Sequence, residues 1–307
     1  MSYDFDAMLQ TIKDKQWSLA DIDWDAPGAE TMSDETRARM APFMADLVWI
    51  EHIGARGFAA LAKQAPTPTI REIYRYFHAE EQKHANAELA LMKRWGMLPD
   101  GRIPEPTIQV KMAITVLDSW GDDLPLAGLA ALIPLLEVAL DGALVKFLTD
   151  EVDDPLCHEV FRHINNDEAR HIATDFQVLE LIGVGSTVDH AVKAVALLDP
   201  RVAVGLTVVF VPLISKMRNN VVAMGLEERK LMSAIKRYSK IGGRGPNTRK
   251  LVSYHILRAM GEMIVDRSHP YHRLLGDPMV IITDRVPRRL LAKPQSWVDG
   301  LSAEAVA

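Results

Sequence analysis

The sequence predicts an all-α protein: a four-helix bundle followed by additional C-terminal helices. Apolar residues recur at helical spacing along most of the 307 residues, and strand-like alternation is nearly absent. Two proline-containing breaks, at about 65–68 and 151–155, each separate two long helical segments. Each break therefore predicts a helical hairpin, and two hairpins packed together make a four-helix bundle.

The first hairpin is bounded by clear capping signals. Ser33 is a candidate N-cap with acidic residues in the turn that follows, so the first long helix begins there and runs to the break. Thr67 and Pro68 then repeat a cap followed by proline at the first helical position. The second helix ends at Gly96, because glycine is favoured just beyond a helix C-terminus.

The second hairpin follows a linker and a shorter helix at about 97–121. An apolar segment predicts a third long helix near 124–150. Asp154 and Pro155 again form a cap followed by proline, and the fourth helix runs to about Leu181.

Beyond the bundle, residues 187–265 read as three further helices, divided at Asp199-Pro200 and at the stretch SKIGGRGPNT. The final forty residues, rich in Pro, Arg and His, read as irregular. The predicted organisation is an N-terminal arm (1–32), a four-helix core (33–182) and a helical extension packed on the core (183–307).

The composition indicates a cytoplasmic protein. Hydrophobic residues make up 48% of the chain and charged residues 25%, as in ordinary globular proteins. The single Cys157 excludes an internal disulfide and fits a reducing compartment. The first ten residues do not resemble a signal peptide, and the apolar run 202–214 is too short to cross a bilayer, so we expect no transmembrane segment.

The charge is unevenly distributed. The net charge is −6, yet residues 226–293 contain fifteen Lys and Arg against six Asp and Glu. This basic region is either a docking face for an anionic protein partner or simply a solvated helical surface. We expect no nucleic-acid partner.

Two Glu-x-x-His motifs, Glu81 to His84 and Glu168 to His171, stand in corresponding positions of the two hairpins. Glu51 and Glu81 lie fifteen residues before and after Pro66, and Glu137 and Glu168 flank the second break symmetrically. In an antiparallel hairpin, equal distances from the turn place two residues at the same depth. Each hairpin therefore brings one glutamate level with one Glu-x-x-His pair.

The four glutamates lie on apolar helix faces, where unpaired carboxylates are costly and repel one another. No Lys or Arg shares these faces near Glu51 or Glu137. Two divalent cations would balance four ionised carboxylates, with two neutral imidazoles completing the ligation. Such an oxygen-rich donor set suits iron, with manganese as the alternative, better than structural zinc.

The motifs, quoted as EEQKH and DEARH, resemble those of the acyl-carrier-protein desaturases and of the p-aminobenzoate N-oxygenase group, which are ferritin-like di-iron carboxylate oxygenases. The resemblance covers about residues 33–182. It implies a ferritin-like bundle with two iron ions and six metal ligands: Glu51, Glu81, His84, Glu137, Glu168 and His171. Glu81 and Glu168 would bridge the metals and carry the catalytic centre.

The resemblance also assigns residues around the ligands. Asp167 matches a position that hydrogen-bonds a ligand histidine, here His84; Glu80 either does the same for His171 or is an exposed acid. The N-oxygenase group has a third histidine ligand one turn before the second motif, where this chain has Ile164, and His163 points off that face. Positions one turn from a ligand predict the walls of a substrate pocket: Tyr74, Phe77, Ile133 and Ile164.

The resemblance implies a non-haem di-iron oxidoreductase that activates O₂ to hydroxylate, N-oxygenate or desaturate a small organic or acyl substrate, which a carrier protein would present in some cases. With no flavin fingerprint and one cysteine, the electrons would come from a donor such as a ferredoxin. We expect a homodimer. The alternatives are a ferritin-like iron-handling protein, either a ferroxidase or a peroxide scavenger, and a non-enzymatic bundle.

Overall fold

A computed structural model of the chain describes residues 3–98, 102–140, 146–195, 199–225 and 227–291. Across these ranges the secondary structure is helical, with no strand, so the all-α prediction is confirmed. The helices are α1 (Phe5–Asp14), α2 (Asp34–Gln64), α3 (Pro68–Arg94), α4 (Ile108–Trp120), α5 (Leu126–Leu140), α6 (Lys146–Glu151), α7 (Pro155–Ile182), α8 (Thr187–Lys193), α9 (Pro200–Val204), α10 (Val211–Ala223), α11 (Glu228–Gly242), α12 (Val252–Val265) and α13 (Asp277–Thr283).

The core is a bundle of α2, α3, α5 and α7. The hairpin partners α2 and α3 pack along their length, and α5 packs on α7. Contacts of α2 with α5 and of α3 with α7 join the two hairpins. The predicted third helix corresponds to α5, described as far as Leu140, and α6, described from Lys146; residues 141–145 lie outside the described ranges.

Local capping chemistry positions these helices as predicted. The Ser33 side chain accepts a hydrogen bond from the Thr36 amide at the start of α2. Thr67 caps α3 and Asp154 caps α7, in each case with proline at the first helical position. Since each cap satisfies a backbone amide that the helix leaves free, it fixes where the helix begins.

Further helices surround the bundle. Helix α1, which the sequence reading left inside a polar arm, packs on α3 and α7, while α11 and α12 pack on α5. The region 187–265 contains more than the three predicted helices, because the predicted middle helix ends at Ala223 and a new helix, α11, begins at Glu228. A π-helical turn at Gly205–Phe210 joins α9 to α10. The prediction that the final forty residues are irregular is wrong for Asp277–Thr283, which forms α13; residues 292–307 lie outside the described ranges.

One stretch, Pro200–Ala223, is long and apolar enough to cross a membrane by length and composition alone. The apolar run 202–214, which we expected to be too short to cross a bilayer, belongs to this longer stretch, because the helix continues through α10. Within the apolar window, 44% of the residues are buried inside the protein. Buried core helices meet the same criterion, and α10 packs against α4, α12 and α13, so the stretch by itself is weak evidence for a span.

Candidate metal centre

The four core helices bring the six predicted ligands together. Their carboxylate and imidazole atoms form two groups, within each of which one atom per residue lies within 4.8 Å of every other. One group contains Glu51, Glu81, His84 and Glu168, and the other contains Glu81, Glu137, Glu168 and His171. Glu81 and Glu168 belong to both groups, as bridging carboxylates must.

Both imidazoles present Nδ1 to the carboxylates. His84 Nδ1 lies 3.1 Å from Glu168 Oε1 and 3.5 Å from Glu51 Oε2. His171 Nδ1 lies 3.2 Å from Glu81 Oε1 and 3.7 Å from Glu137 Oε1. The two rings are 6.0 Å apart. Because Glu-x-x-His places both side chains on one helix face, α3 and α7 each contribute one such pair.

The other nitrogen of each imidazole contacts an acid outside the cluster. His84 Nε2 is 3.0 Å from Asp167 Oδ2, and His171 Nε2 is 2.9 Å from Glu80 Oε2. An ionised carboxylate only accepts hydrogen bonds, so Nε2 carries the proton when the imidazole is neutral. The Nδ1 lone pair then faces the cluster, which is the tautomer that a metal ligand requires. Glu80 is fully buried, not an exposed acid.

The N-terminal arm and α7 hold these two outer acids. Trp17 Nε1 donates to Asp167 Oδ2 at 2.8 Å, and Gln16 Nε2 donates to Glu80 Oε1 at 2.6 Å. Arg170 pairs with both acids. Sequence reasoning missed Gln16 and Trp17, because no local pattern indicates that the arm reaches α3 and α7.

Several buried atoms of the cluster have no hydrogen-bond partner among the described residues. They are Glu81 Oε1, both carboxylate oxygens of Glu137, His84 Nδ1 and His171 Nδ1. A buried carboxylate without a partner costs several kcal/mol. These atoms converge on the same space, and oxygen and imidazole donors suit iron or manganese. The residues present therefore fit a pair of divalent metal ions.

Burial and mutual repulsion shape the acidity of the cluster. Burial, reinforced by Glu168 and Glu51, raises the pKa of Glu81 well above its usual value. Burial and the neighbouring Asp175 raise the pKa of Glu137 in the same way. Burial opposes ionisation of Glu168 too, but the two imidazoles outweigh it and lower its pKa to about 2. The protein's own groups thus neutralise only part of the buried negative charge.

Gly54, one turn after Glu51 on α2, makes room for the centre. A Cβ atom at this position would overlap the Glu81 carboxylate. Glycine at this position therefore leaves the Glu81 carboxylate in place, and a larger residue would have to displace it. The sequence alone did not indicate this role of Gly54.

A mainly apolar cavity opens directly onto the glutamates. Its walls include Ile133 and Ile164, as predicted for the pocket, but not Tyr74 or Phe77. Phe77 instead packs on the His171 ring, with centroids 4.1 Å apart, and Tyr74 stacks with Phe58. The α3 face that carries these aromatics therefore supports the imidazole and does not line the cavity.

Two further acids extend the ligand helices by one turn. Glu88 lines the cavity with both carboxylate oxygens unpartnered, and burial raises its pKa well above the usual value. Asp175 lies beside Tyr74, and burial raises its pKa to about 7. His163 stacks on Trp17, outside both donor groups. Cys157 is a buried core residue.

The bundle and its four-glutamate, two-histidine donor set have the arrangement of ferritin-like dimetal carboxylate proteins, in which two helices supply a Glu and two supply Glu-x-x-His. No protein-family model and no curated protein matches the sequence.

Two solved structures resemble the chain over 92% of its length and 93% of theirs, each at 13% identity. One is an R2-like ligand-binding oxidase variant with an anaerobically reconstituted Mn/Fe cofactor, at a TM-score of 0.49. The other is an R2-like ligand-binding oxidase variant with an aerobically reconstituted Mn/Fe cofactor, at 0.47. At such values the similarity carries no weight here, and the class rests on the chain's own helices and donor set.

Proposed function

We propose that this protein is a dimetal-dependent oxidoreductase that uses O₂ to oxidise a small organic or acyl substrate. The observation that supports it best is the apolar cavity opening directly onto the six-residue donor set. An organic molecule in this cavity would lie beside the metals with water excluded, as oxidation of unactivated carbon or nitrogen requires.

Six side chains would hold the metals, with Glu51 and His84 toward one ion and Glu137 and His171 toward the other. Glu81 and Glu168 belong to both donor groups and would bridge. Two iron ions are the expected cofactor, with manganese in one or both positions as the alternative. When bound, such a pair supplies the electrons that reduce O₂.

The chain's own residues would control protons and water. Asp167 and Glu80 keep the protons of His84 and His171 on Nε2. Burial raises the pKa of Glu88 well above its usual value, and its carboxyl group lines the cavity. When protonated, Glu88 would donate a hydrogen bond to a polar atom of the bound substrate.

The iron-handling alternative is less well supported by the cavity. Iron entering a storage site passes along carboxylates, whereas the walls here are mainly Leu, Ile and Phe outside the donor cluster and Glu88. Size-exclusion chromatography separates the two: a homodimer fits the oxidase, and a large hollow assembly fits storage. A ferredoxin donor docking on the basic region 226–293, and a cytoplasmic location, belong to the same proposal.

The decisive measurement is metal content after anaerobic loading with ferrous iron, followed by exposure to O₂. We expect about two irons per chain and an oxygen-dependent near-ultraviolet absorption band. Glu137→Ala should lose iron while its circular dichroism stays helical. Glu88→Gln is the matched control, because Glu88 is equally buried but belongs to neither donor group. Iron binding by Glu137→Ala equal to that of the parent would show the ligand assignment to be wrong.

A further inference from the structure

Helix α8 and its flanks expose an apolar stripe that no described element covers. Val184, Val188, Val192 and Val195 are 62%, 71%, 66% and 63% exposed. Val188, Val192 and Val195 follow one another at spacings of four and three residues on one side of α8 and the turn after it, and Val184 lies in the loop that precedes α8. A row of large apolar side chains at this exposure marks an interaction surface, whereas isolated ones do not. We call these four residues the valine face.

A line of adjoining cavities lies between the valine face and the metal centre. A surface groove lined by Val192 also contains Pro125 and Ser253. These two residues are shared with a second cavity, whose walls are almost entirely apolar. That second cavity in turn shares Ile53, Leu136 and Leu213 with the cavity beside the glutamates.

Basic side chains flank the valine face. Arg244 and Arg249 are exposed on the loop before α12, and Lys193 is exposed on α8 itself. Lys250 Nζ donates to the Gly185 carbonyl at 3.1 Å, which ties this loop to the start of α8. Asp189, the acid on α8, stays ionised in the Ser186 cap, which lowers its pKa. The four cations outnumber it, so the rim carries a net positive charge.

We propose that the valine face docks on the surface of an anionic lipid bilayer, from which an apolar substrate enters the line of cavities. The proposal deepens the proposed function, on which its substrate step rests. The valines would insert at the level of the acyl chains while the cations meet anionic headgroups. A symmetric second copy would also cover the valines, but it would bring the two basic rims together, which is unfavourable. A bilayer satisfies both features.

The test is cosedimentation of the iron-loaded protein with phosphatidylcholine vesicles, with and without about one-third phosphatidylglycerol. We expect binding to the anionic vesicles and a decrease of at least about tenfold in the partition coefficient for Val188→Glu/Val192→Glu. Arg244→Glu/Arg249→Glu should reduce binding roughly fivefold or more per residue on anionic vesicles, and binding should weaken with salt. The matched control is Ile281→Glu/Ile282→Glu, which places the same charges on another exposed apolar site.

Three outcomes would overturn the docking proposal. They are no binding of the parent to anionic vesicles, equal loss in the Ile281→Glu/Ile282→Glu control, and a lipid-independent dimer that Val188→Glu/Val192→Glu dissociates. Circular dichroism and metal content, measured on the same samples, verify folding. Two irons without vesicle binding would contradict only the docking proposal, whereas vesicle binding without iron would contradict the proposed function and leave the docking surface standing.

Discussion

Asp154 and Glu137 are both buried acids at the α5–α7 side of the bundle, and the protein treats them in opposite ways. Asp154 accepts hydrogen bonds from Arg94 Nε at 2.9 Å, Trp95 Nε1 at 2.9 Å and the Leu156 amide at 3.0 Å. Glu137 is equally enclosed, yet neither of its oxygens has a partner among the described residues. The fold itself supplies the partners of the first acid, whereas the second is left to be neutralised by a proton or, in the proposed function, by a bound metal ion.

The largest effect is expected where the fold itself supplies the partners. Asp154→Ala would leave Arg94 Nε and the Trp95 N–H without their acceptor, although Arg94 Nη1 keeps the Trp24 carbonyl, and it would remove the cap of α7. We expect a loss of ~3–5 kcal/mol in the free energy of unfolding. Chemical denaturation measures this.

Asp153→Ala is the control, because Asp153 is exposed on the adjacent position; its unfolding free energy should change by less than about 0.5 kcal/mol. If Asp154→Ala were as stable as this control, the ion pair between Asp154 and Arg94 would contribute nothing to the free energy of unfolding.

At the metal centre, where the chain offers Glu137 no partner, we expect bound metal to raise the free energy of unfolding. Ferrous or manganous ion at one hundred times its Kd should stabilise the parent by about 2.7 kcal/mol per site. The same metal concentration should stabilise Glu137→Gln clearly less, since the amide lacks the negative charge that attracts the cation. Thermal unfolding with and without metal measures the difference, and Glu88→Gln should respond as the parent does.

Asp46 is an intermediate case, buried but only partly satisfied, by the Thr107 amide and Asn220 Nδ2, each at 2.9 Å. Burial raises its pKa to about 6. The folded protein thus holds this proton more tightly than the unfolded chain, so the stabilisation is complete below about pH 4 and lost as pH rises through 6.

Relative to Asp46→Asn, which does not titrate, the free energy of unfolding of the parent should fall by about 2 kcal/mol between pH 4 and pH 7. Denaturation of both proteins across this range measures the difference. A difference that does not vary with pH would show that Asp46 titrates normally.

The smallest effect concerns the space around Glu81. Gly54→Ala should displace the Glu81 carboxylate and weaken metal binding by about tenfold, as loss of ligand positioning does. Gly57→Ala, one turn along, meets only the end of the flexible Ile133 side chain and should retain metal. Metal titration followed by absorbance compares the two; equal affinities would remove the proposed role of Gly54.

The features that depend on residues within one helical turn were readable in the sequence. Caps at Ser33, Thr67 and Asp154 and the Glu-x-x-His spacing act over three or four positions, so helix starts and paired donors followed from local chemistry. The symmetry of the two breaks extended this to the common depth of the glutamates, because rise per residue is constant in a helix.

Other features arise only when distant segments pack. The arm that places Gln16 and Trp17 on the outer acids, the direction of Phe77 toward His171, and the opening of the cavities toward α8 all join residues far apart in the chain. Helical periodicity shows which residues face inward, but it does not show which neighbour each one meets. That choice is made by the shapes of whole helices packing together, which no short window of sequence contains.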